Sequence, residues 1–266
     1  GTVAAPRTGG HVSLVDVSRD GAVALVTLNR PPVNALNQEL SEALVEAFRE
    51  CADPEIRAVV VTGEPHFAAG ADITGFQASF ESGADDEMAG ALTDAIWTLE
   101  SLAKPTIAAI RGFALGGGLE LAMGADFRYL AEDAKVGQPE ILLGLIPGAG
   151  GTQRLPRLVG YQVAKELVYS GRHVGAEEAQ AIGLADKVVS GDDLLSVAMA
   201  DASKWAEGPT QAIAAAKRAL NQGWGQPMEK ALEIEAAEFA NAFSTEDARE
   251  GVAAFLEKRR PTFTGR

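Results

Sequence analysis

The sequence has few of the residues that bind metals or form disulfides. Cys51 is the single cysteine among 266 residues, which excludes an intrachain disulfide and fits a reducing compartment. It lies on the apolar face of a predicted helix, so we interpret it as a packed thiol rather than a nucleophile. The histidines, His11, His66 and His173, are scattered and show no metal-ligand spacing. We therefore expect no metal site.

The chain also lacks long hydrophobic runs and an excess of basic residues. No segment approaches the ~18 consecutive apolar residues of a membrane-spanning helix. Residues 1–10 do not follow the charged-then-apolar pattern of a signal peptide. The net charge of −14 argues against nucleic acid or an anionic membrane as the partner. The Ala/Gly-rich composition is typical of a bacterial cytoplasmic protein, and a mitochondrial matrix protein without its transit peptide would have the same pattern.

Short apolar segments alternate with amphipathic helices in the first part of the chain. Continuous apolar runs that end in turn residues predict strands at 23–28, 58–62 and 106–110. Apolar residues at helical spacing predict helices at 38–51 and 88–102. This alternation indicates an α/β fold with a parallel sheet.

After about residue 190 the strand signals stop and helical patterns take over. Four segments carry an apolar stripe and a start signal: 192–205, 210–222, 228–242 and 247–259. We place a boundary near residue 200, between an α/β core (1–200) and a C-terminal helical region (201–266). A small bundle cannot bury so many apolar stripes by itself. We therefore expect this region to pack on the core or on another subunit.

Two glutamates, Glu120 and Glu140, stand in apolar, glycine-rich sequence. Burial there raises the pKa of a carboxyl group toward the range that suits acid–base catalysis. The glycines at 116–118 let backbone N–H groups approach a ligand closely. The pattern predicts a site that moves protons on a substrate whose oxygen becomes negative. A structural role, as an ion-pair partner or a helix-start charge, also explains each glutamate taken alone.

Motifs in a fixed order make the chain resemble the enoyl-CoA hydratase/isomerase (crotonase) superfamily from about Val12 to Phe263. They are Leu28-Asn-Arg-Pro with Asn34-Ala-Leu, Phe67-Ala-Ala-Gly-Ala-Asp-Ile73, Gly112-Phe-Ala-Leu-Gly-Gly-Gly-Leu-Glu120, Gln138-Pro-Glu140 with Gly144-Leu-Ile-Pro-Gly-Ala-Gly-Gly-Thr-Gln-Arg154, and Phe255-Leu-Glu-Lys-Arg-Arg-Pro-Thr-Phe263. The resemblance implies a crotonase-type core of repeated ββα units and a C-terminal helical region that forms homotrimers, often paired into hexamers. It also implies an acyl-CoA thioester ligand, with no cofactor beyond the coenzyme A of the substrate.

The resemblance further implies roles for individual residues. The backbone N–H groups of Ala71 and Gly117 would form an oxyanion hole for the thioester oxygen. Glu120 would help to activate a water and Glu140 would supply the α-proton, with Gly148 near that water. The residues that would contact coenzyme A are Arg30, Ala69, Ala71, Asp72, Ile73 and, in the tail, Lys258.

Departures from the family's pattern concern coenzyme A more than the chemistry. The turn Pro31-Pro-Val33 and Thr74 stand where relatives often carry basic residues. The polar, acidic segment 77–87 follows, and we interpret it as a loop that, with residues up to Leu92, shapes the acyl pocket. We interpret Asp72 as a helix cap, Arg154 as an ion-pairing residue, and Trp97, Trp205 and Trp224 as packing residues.

The sequence as a whole favours hydration of trans-2-enoyl-CoA to 3-hydroxyacyl-CoA in fatty-acid β-oxidation. Isomerases of the superfamily generally keep the carboxylate at the 140 position and change the 120 position, so the presence of both favours a hydratase. An enoyl-CoA Δ-isomerase is the first alternative. A non-catalytic acyl-CoA-binding protein is another, and it would tolerate the loss of both glutamates. RNA binding is a third alternative, which the acidic charge disfavours.

Overall fold

A computed structural model describes residues 13–74 and 87–266. Most of the predicted loop at 77–87, up to residue 86, lies outside the described residues. Within the described part of the chain, no helix is both long enough and apolar enough to cross a membrane.

The strands form a large sheet and a small one. They are β1 Val15–Asp20, β2 Val23–Leu28, β3 Ala58–Gly63, β4 Thr106–Ile110, β5 Phe113–Leu115, β6 Phe127–Ala131, β7 Lys135–Gly137, β8 Val174–Gly175 and β9 Lys187–Val189. The large sheet has the order β1-β2-β3-β4-β6-β9, and every neighbouring pair is parallel except β1–β2. The small sheet has the order β5-β7-β8.

From β4 to β7, consecutive strands alternate between the two sheets. β4 belongs to the large sheet and β5, a few residues later, to the small one; β6 and β7 repeat this step. The helix after β5 then returns the chain to the large sheet, which gives a ββα unit. Every residue of β3 is buried, because the sheet is covered on both faces at this strand.

The helices surround this framework. They are α1 Gln38–Glu50, α2 Glu87–Glu100, α3 Gly117–Met123, a 3₁₀ helix Pro139–Leu143, α4 Gly151–Val159, α5 Tyr161–Ser170, α6 Ala176–Ala181, α7 Leu194–Ala206, α8 Thr210–Gly223, α9 Met228–Phe243 and α10 Glu246–Glu257. α1 begins where the Asn37 side chain accepts a hydrogen bond from Leu40 N–H, at 2.9 Å. Its apolar stripe then buries Leu40, Leu44 and Phe48 completely.

The strands and helices that the sequence predicted are present, with bounds that differ by at most two residues. The α/β class with a parallel-rich sheet is therefore confirmed. The sequence did not predict β1, β6, β9, the small sheet, helix α3, the 3₁₀ helix or the helices between 151 and 181. The small-sheet strands are only two or three residues long, and glycines begin or end the helices α4 and α5. Such short elements leave no clear periodic pattern.

Cys51 and Trp205 are packing residues, whereas Trp97 and Trp224 are exposed. Cys51 is fully buried, and burial raises the pKa of its thiol to about 11, so its interpretation as a packed thiol is confirmed. Trp205 packs on Phe127, with 4.5 Å between the ring centroids. The packing prediction is wrong for Trp97 and Trp224 within this chain, because their surfaces are 64% and 62% exposed.

Helix α7 packs across β2, β3, β4 and β6, and residue 200 lies inside it. The next helix, α8, is joined to the core by a buried ion pair: Lys217 Nζ lies 2.9 Å from Asp126 Oδ2 and also donates to the Lys104 carbonyl. Arg57, just before β3, donates to Thr210 Oγ1 and to the carbonyls of Gly208 and Phe263. These contacts attach the C-terminal segment to one end of the sheet.

Lys104 stabilises the turn between α1 and β3. Its Nζ donates to the carbonyls of Cys51, Asp53 and Ile56 at 2.6–2.9 Å, and its surface is only 4% exposed. Burial lowers the pKa of this ammonium group. A buried cation is tolerated here because each of its protons has an acceptor.

We expect Lys104→Met to lower the free energy of unfolding by about 2–4 kcal/mol, because the buried carbonyls of Cys51 and Ile56 lose the Lys104 donor. Urea denaturation at a fixed protein concentration measures this change. The exposed Lys230→Met is the control and should shift stability by less than about 0.5 kcal/mol. Equal effects of the two substitutions would contradict the assigned role of Lys104.

Candidate active site

The glycine cluster before Glu120 brings two backbone N–H groups together. Gly117 is the first residue of α3, so its N–H has no acceptor within the helix. Ala71 pairs with Leu36 in an isolated parallel bridge, in which Leu36 bonds to the residues on either side of Ala71. The Ala71 N–H therefore points away from Leu36. A Cβ atom added to Gly117 would lie 4.0 Å from Ala71 N, so the two donors border the same space.

Close contacts explain why this segment consists of glycine. Gly116 has a φ of +52°, in the left-handed region that favours glycine. A Cβ atom at Gly118 would overlap the carbonyl oxygen of Ala68, so helix α3 could not approach the 67–71 segment with any larger residue. The Gly116 N–H donates to the Gly137 carbonyl and its own carbonyl accepts from Gln138 Nε2. The start of α3 is therefore fixed against both neighbouring segments.

Glu120 lies in the first turn of α3 and is only 3% exposed. One carboxylate oxygen, Oε1, accepts hydrogen bonds from the backbone N–H groups of Ala149 (2.8 Å) and Gly151 (2.7 Å). Burial raises the pKa of Glu120 above its ordinary value, and these two bonds and the charge of Arg154 offset only part of that rise. Two donors on one oxygen favour the ionised form, which can act as a base through its second oxygen.

Glu140 lies on the 3₁₀ helix in a different environment. Both of its carboxyl oxygens are buried, and neither has a hydrogen-bond partner among the described residues. Burial, together with the charge of Glu120, raises the pKa of Glu140 to about 7. A Cβ atom added to Gly116 would lie 3.1 Å from Glu140 Oε1, so this carboxyl group borders the glycine cluster. Near neutral pH it can hold a proton and donate it.

The structure brings most of the predicted coenzyme A contacts together. Arg30 Nη2 lies 2.6 Å from Asp72 Oδ2, and Arg30 Nη1 donates to the Ala35 carbonyl. The Ala69 N–H donates to the Val33 carbonyl. The 30–36 and 69–73 segments therefore lie side by side, and the second of them contains Ala71. Ile73 is exposed at the end of the second segment, with 59% of its surface accessible.

Three further predicted site residues, Asp72, Gly148 and Lys258, lie farther from the two glutamates or contact them only through neighbouring residues. The Asp72 carboxylate accepts from the N–H and hydroxyl of Thr74, as in a cap, and the Thr74 bond followed by that of Arg30 lowers its pKa. Gly148 lies in the turn before Ala149, and Ala149 and Gly151 provide the bonds to Glu120. Lys258 is exposed at the end of α10, with no contact to the other predicted site residues within the described parts of the chain.

Several residues that shape this site were not predicted as such. Ala149 and Gly151 bind Glu120 through their backbone, which the residue type does not reveal. Gln138 is fully buried, and its role of holding Gly116 depends on a neighbour far along the chain. Arg154 was predicted to form an ion pair, and this is confirmed by its 2.6 Å contact with Glu100. Within the described residues, no group of three His, Cys, Asp or Glu side chains could hold a metal ion.

We expect Glu140→Gln to stabilise the protein at alkaline pH. The folded-state pKa of Glu140, about 7, exceeds its ordinary value of 4.5, so the folded state binds the proton more tightly. The wild type therefore loses stability as pH rises from about 4.5 to about 7. The variant has no such loss and should be more stable above that range by roughly 1–2 kcal/mol, after allowance for solvent screening.

Urea denaturation of wild type and variant at about pH 5 and about pH 8 measures the difference. The advantage of the variant should be small at the lower pH and larger at the higher one. The exposed Glu42→Gln is the matched control. A difference that does not grow with pH would mean that Glu140 is not held in an environment that favours its neutral form.

Comparisons with known proteins identify the family of this chain. A sequence model of the Enoyl-CoA hydratase/isomerase family matches residues 18–266. The chain is 44% identical over 257 residues to a protein of Mycobacterium tuberculosis named a probable enoyl-CoA hydratase, which covers 94% of this chain and 97% of that protein. It is 41% identical over 251 residues to the short-chain-enoyl-CoA hydratase of Clostridium acetobutylicum, with coverage of 92% and 95%.

Solved structures give the same result for the fold. The crystal structure of an enoyl-CoA hydratase from Bacillus anthracis superposes with a TM-score of 0.89 at 37% identity, and the match covers 95% of this chain and 100% of that chain. The crotonase-type α/β core that the motifs implied is therefore confirmed. The chain belongs to the enoyl-CoA hydratase/isomerase family.

Proposed function

We propose that this protein is an enoyl-CoA hydratase that interconverts trans-2-enoyl-CoA and 3-hydroxyacyl-CoA in fatty-acid β-oxidation. The observation that carries the proposal is a contrast between two carboxyl groups. Glu120 accepts two backbone N–H hydrogen bonds, whereas the buried carboxyl oxygens of Glu140 have no hydrogen-bond partner among the described residues. This is the arrangement of one base and one acid beside the N–H groups of Ala71 and Gly117, for which the described residues offer no acceptor. The coenzyme A moiety belongs to the substrate, and no separate cofactor enters the reaction.

The thioester oxygen of the substrate accepts hydrogen bonds from the N–H groups of Ala71 and Gly117. These donors polarise the carbonyl and withdraw electron density from the conjugated C=C bond, so the β-carbon becomes electrophilic. As water adds, negative charge develops on the same oxygen. Fixed donors at a developing charge are worth several kcal/mol, since loss of one such donor costs ~3–4 kcal/mol in a well-studied protease.

The two glutamates divide the proton transfers between them. Glu120 accepts a proton from the attacking water through its free oxygen, and the hydroxyl group joins the β-carbon. Glu140 gives its proton to the α-carbon as the enolate collapses. Transfer of a proton from Glu120 to Glu140 then restores the starting state, and dehydration follows the same steps in reverse. Because the two groups interact, their pKa values belong to the pair.

Coenzyme A runs along the paired 30–36 and 69–73 segments in this proposal. Backbone groups of Ala69 and Ala71 meet its pantetheine arm, while Arg30, Asp72 and Ile73 form the outer wall. The Arg30 guanidinium is already paired with Asp72, so it contributes less positive charge to the phosphates than a free arginine would. Lys258 adds positive charge from a neighbouring subunit. A bacterial cytoplasmic location stays a prediction from the sequence.

Hydration of crotonyl-CoA removes its conjugated thioester absorbance, and this loss tests the proposal. We expect rapid loss with the wild type, and a decrease in rate by at least about 10²-fold in both Glu120→Gln and Glu140→Gln, since each variant lacks one proton transfer. The rate should fall above about pH 7, where Glu140 loses its proton, and also at low pH, where Glu120 gains one. The product, 3-hydroxybutyryl-CoA, is identified by mass spectrometry.

The same assay separates the alternatives. An isomerase would move the double bond of a 3-enoyl-CoA without adding water, and would depend on Glu140 more than on Glu120. A non-catalytic binding protein would bind the acyl-CoA with no change in absorbance, and both variants would bind equally well. Either result would overturn hydration as the function.

We also propose that the chain forms a homotrimer, or a hexamer of two trimers, through its C-terminal helices. Within α8–α10 large apolar side chains are more than half exposed: Leu220, Trp224, Met228, Leu232, Phe239, Phe243, Val252, Phe255 and Leu256. An apolar surface of this extent is unusual for a monomer. A second and third copy of the chain, which carry the same surface, would cover it.

We expect sedimentation analysis to give a trimer or hexamer of the 27.7 kDa chain. Phe239→Glu should dissociate it, because a charge would be buried in the interface. Trp97→Glu, which changes an exposed aromatic residue outside the helical region, is the matched control and should keep the wild-type mass. A monomeric wild type, or equal dissociation by both substitutions, would contradict the proposed interface.

A further inference from the structure

Arg154 lies directly behind the turn that binds Glu120. Its side chain is 15% exposed and forms a two-pronged ion pair with Glu100, the last residue of α2, with Nε–Oε1 at 3.1 Å and Nη2–Oε2 at 2.6 Å. A pair of this kind fixes the plane of the guanidinium as well as its distance. Arg154 is therefore a rigid group at this position rather than a flexible surface cation.

The third nitrogen of the guanidinium, Nη1, contacts the 149–151 turn that binds Glu120. Arg154 Nη1 donates to the carbonyl of Ala149 at 3.2 Å. The N–H of the same Ala149 donates to Glu120, as does that of Gly151. The 149–151 turn therefore accepts a hydrogen bond from Arg154 through one carbonyl and donates two hydrogen bonds to Glu120 through its N–H groups.

Gly150 shows how closely the guanidinium approaches this turn. Its φ is +104°, which disfavours other residues, and a Cβ atom added there would overlap Arg154 Nη1. The backbone N–H of Arg154 also donates to the Gly150 carbonyl, at 2.8 Å, in the first turn of helix α4. The Gly-Ala-Gly-Gly sequence therefore leaves room for Arg154 as well as for Glu120.

We propose that Arg154 is a positioning residue for Glu120: it holds the 149–151 turn so that both N–H groups stay on the carboxylate. This inference rests on the proposed hydratase function. The charge of Arg154 also lowers the pKa of Glu120, although Glu100 neutralises much of that charge. Glu140 is the other charged group beside Glu120, and it does not contact Arg154 in the described structure.

Kinetics of matched variants test this role. Arg154→Met should lower kcat for crotonyl-CoA by about ten- to hundredfold with little change in KM, because a misplaced base slows the chemistry more than it weakens binding. Arg154→Lys and Glu100→Gln should have intermediate effects, since each keeps part of the clamp. The low-pH side of the rate profile should shift to higher pH in Arg154→Met. Arg218→Met removes another two-pronged pair, with Glu238 in the helical region, and is the control.

A second readout does not depend on catalysis. Infrared titration of the ligand-free protein follows the carboxyl stretch of Glu120, which is assigned by its absence in Glu120→Gln. We expect Glu120 to ionise at higher pH in Arg154→Met than in the wild type and in Arg218→Met. If Arg154→Met does not fold, Arg154→Lys, which keeps the charge but not the two-pronged pair, provides the comparison.

The two readouts separate the inference from the function on which it rests. A wild type that does not hydrate crotonyl-CoA would overturn the proposed function, while the infrared shift would still support the action of Arg154 on Glu120. An active wild type whose Arg154 variants keep the kcat, pH profile and Glu120 titration of the control would overturn the positioning role alone.

Discussion

The binding of the Glu120 carboxylate by the N–H groups of Ala149 and Gly151 is the interaction on which the site depends. A charge buried to this extent needs compensating donors, and two backbone groups provide them at 2.7–2.8 Å. The bonds join the start of α3 to the start of α4, and Arg154 extends the connection to α2. The same contacts that stabilise the Glu120 carboxylate therefore also hold α2, α3 and α4 together.

Glu120 and Glu140 show how environment divides the roles of two identical side chains. Both lose solvation on burial, which favours the neutral carboxylic acid. Glu120 recovers stabilisation of its charge from backbone donors, whereas Glu140 has none among the described residues and its pKa rises to about 7. The carboxyl group of Glu140 therefore lowers the stability of the protein at pH values at which it ionises. Such a cost is common in binding sites, where a ligand supplies the missing contacts.

The C-terminal helices are attached to the core by polar groups but leave apolar surface exposed. Lys217 with Asp126, and Arg57 with its carbonyl acceptors, join α8 and the last segment to one end of the sheet. The largest side chains of α9 and α10 remain accessible to solvent in the single chain. An oligomer in which these helices meet would satisfy both observations, and Trp224 would then become the packing residue that the sequence predicted.

The sequence by itself determined the longer strands and helices, because a continuous apolar run, as at 58–62, or an apolar periodicity, as at 228–242, extends over enough residues to be recognised. It also determined the two glutamates and the glycine segment, since ordered motifs identify the family. The tertiary structure alone decided which backbone groups bind Glu120, that Gln138 holds Gly116, and that Arg154 pairs with Glu100. These contacts join residues 22 to 54 positions apart through main-chain atoms or long side chains. Main-chain donors are the same in every residue type except proline, so only the folded path of the chain shows which of them meet a carboxylate.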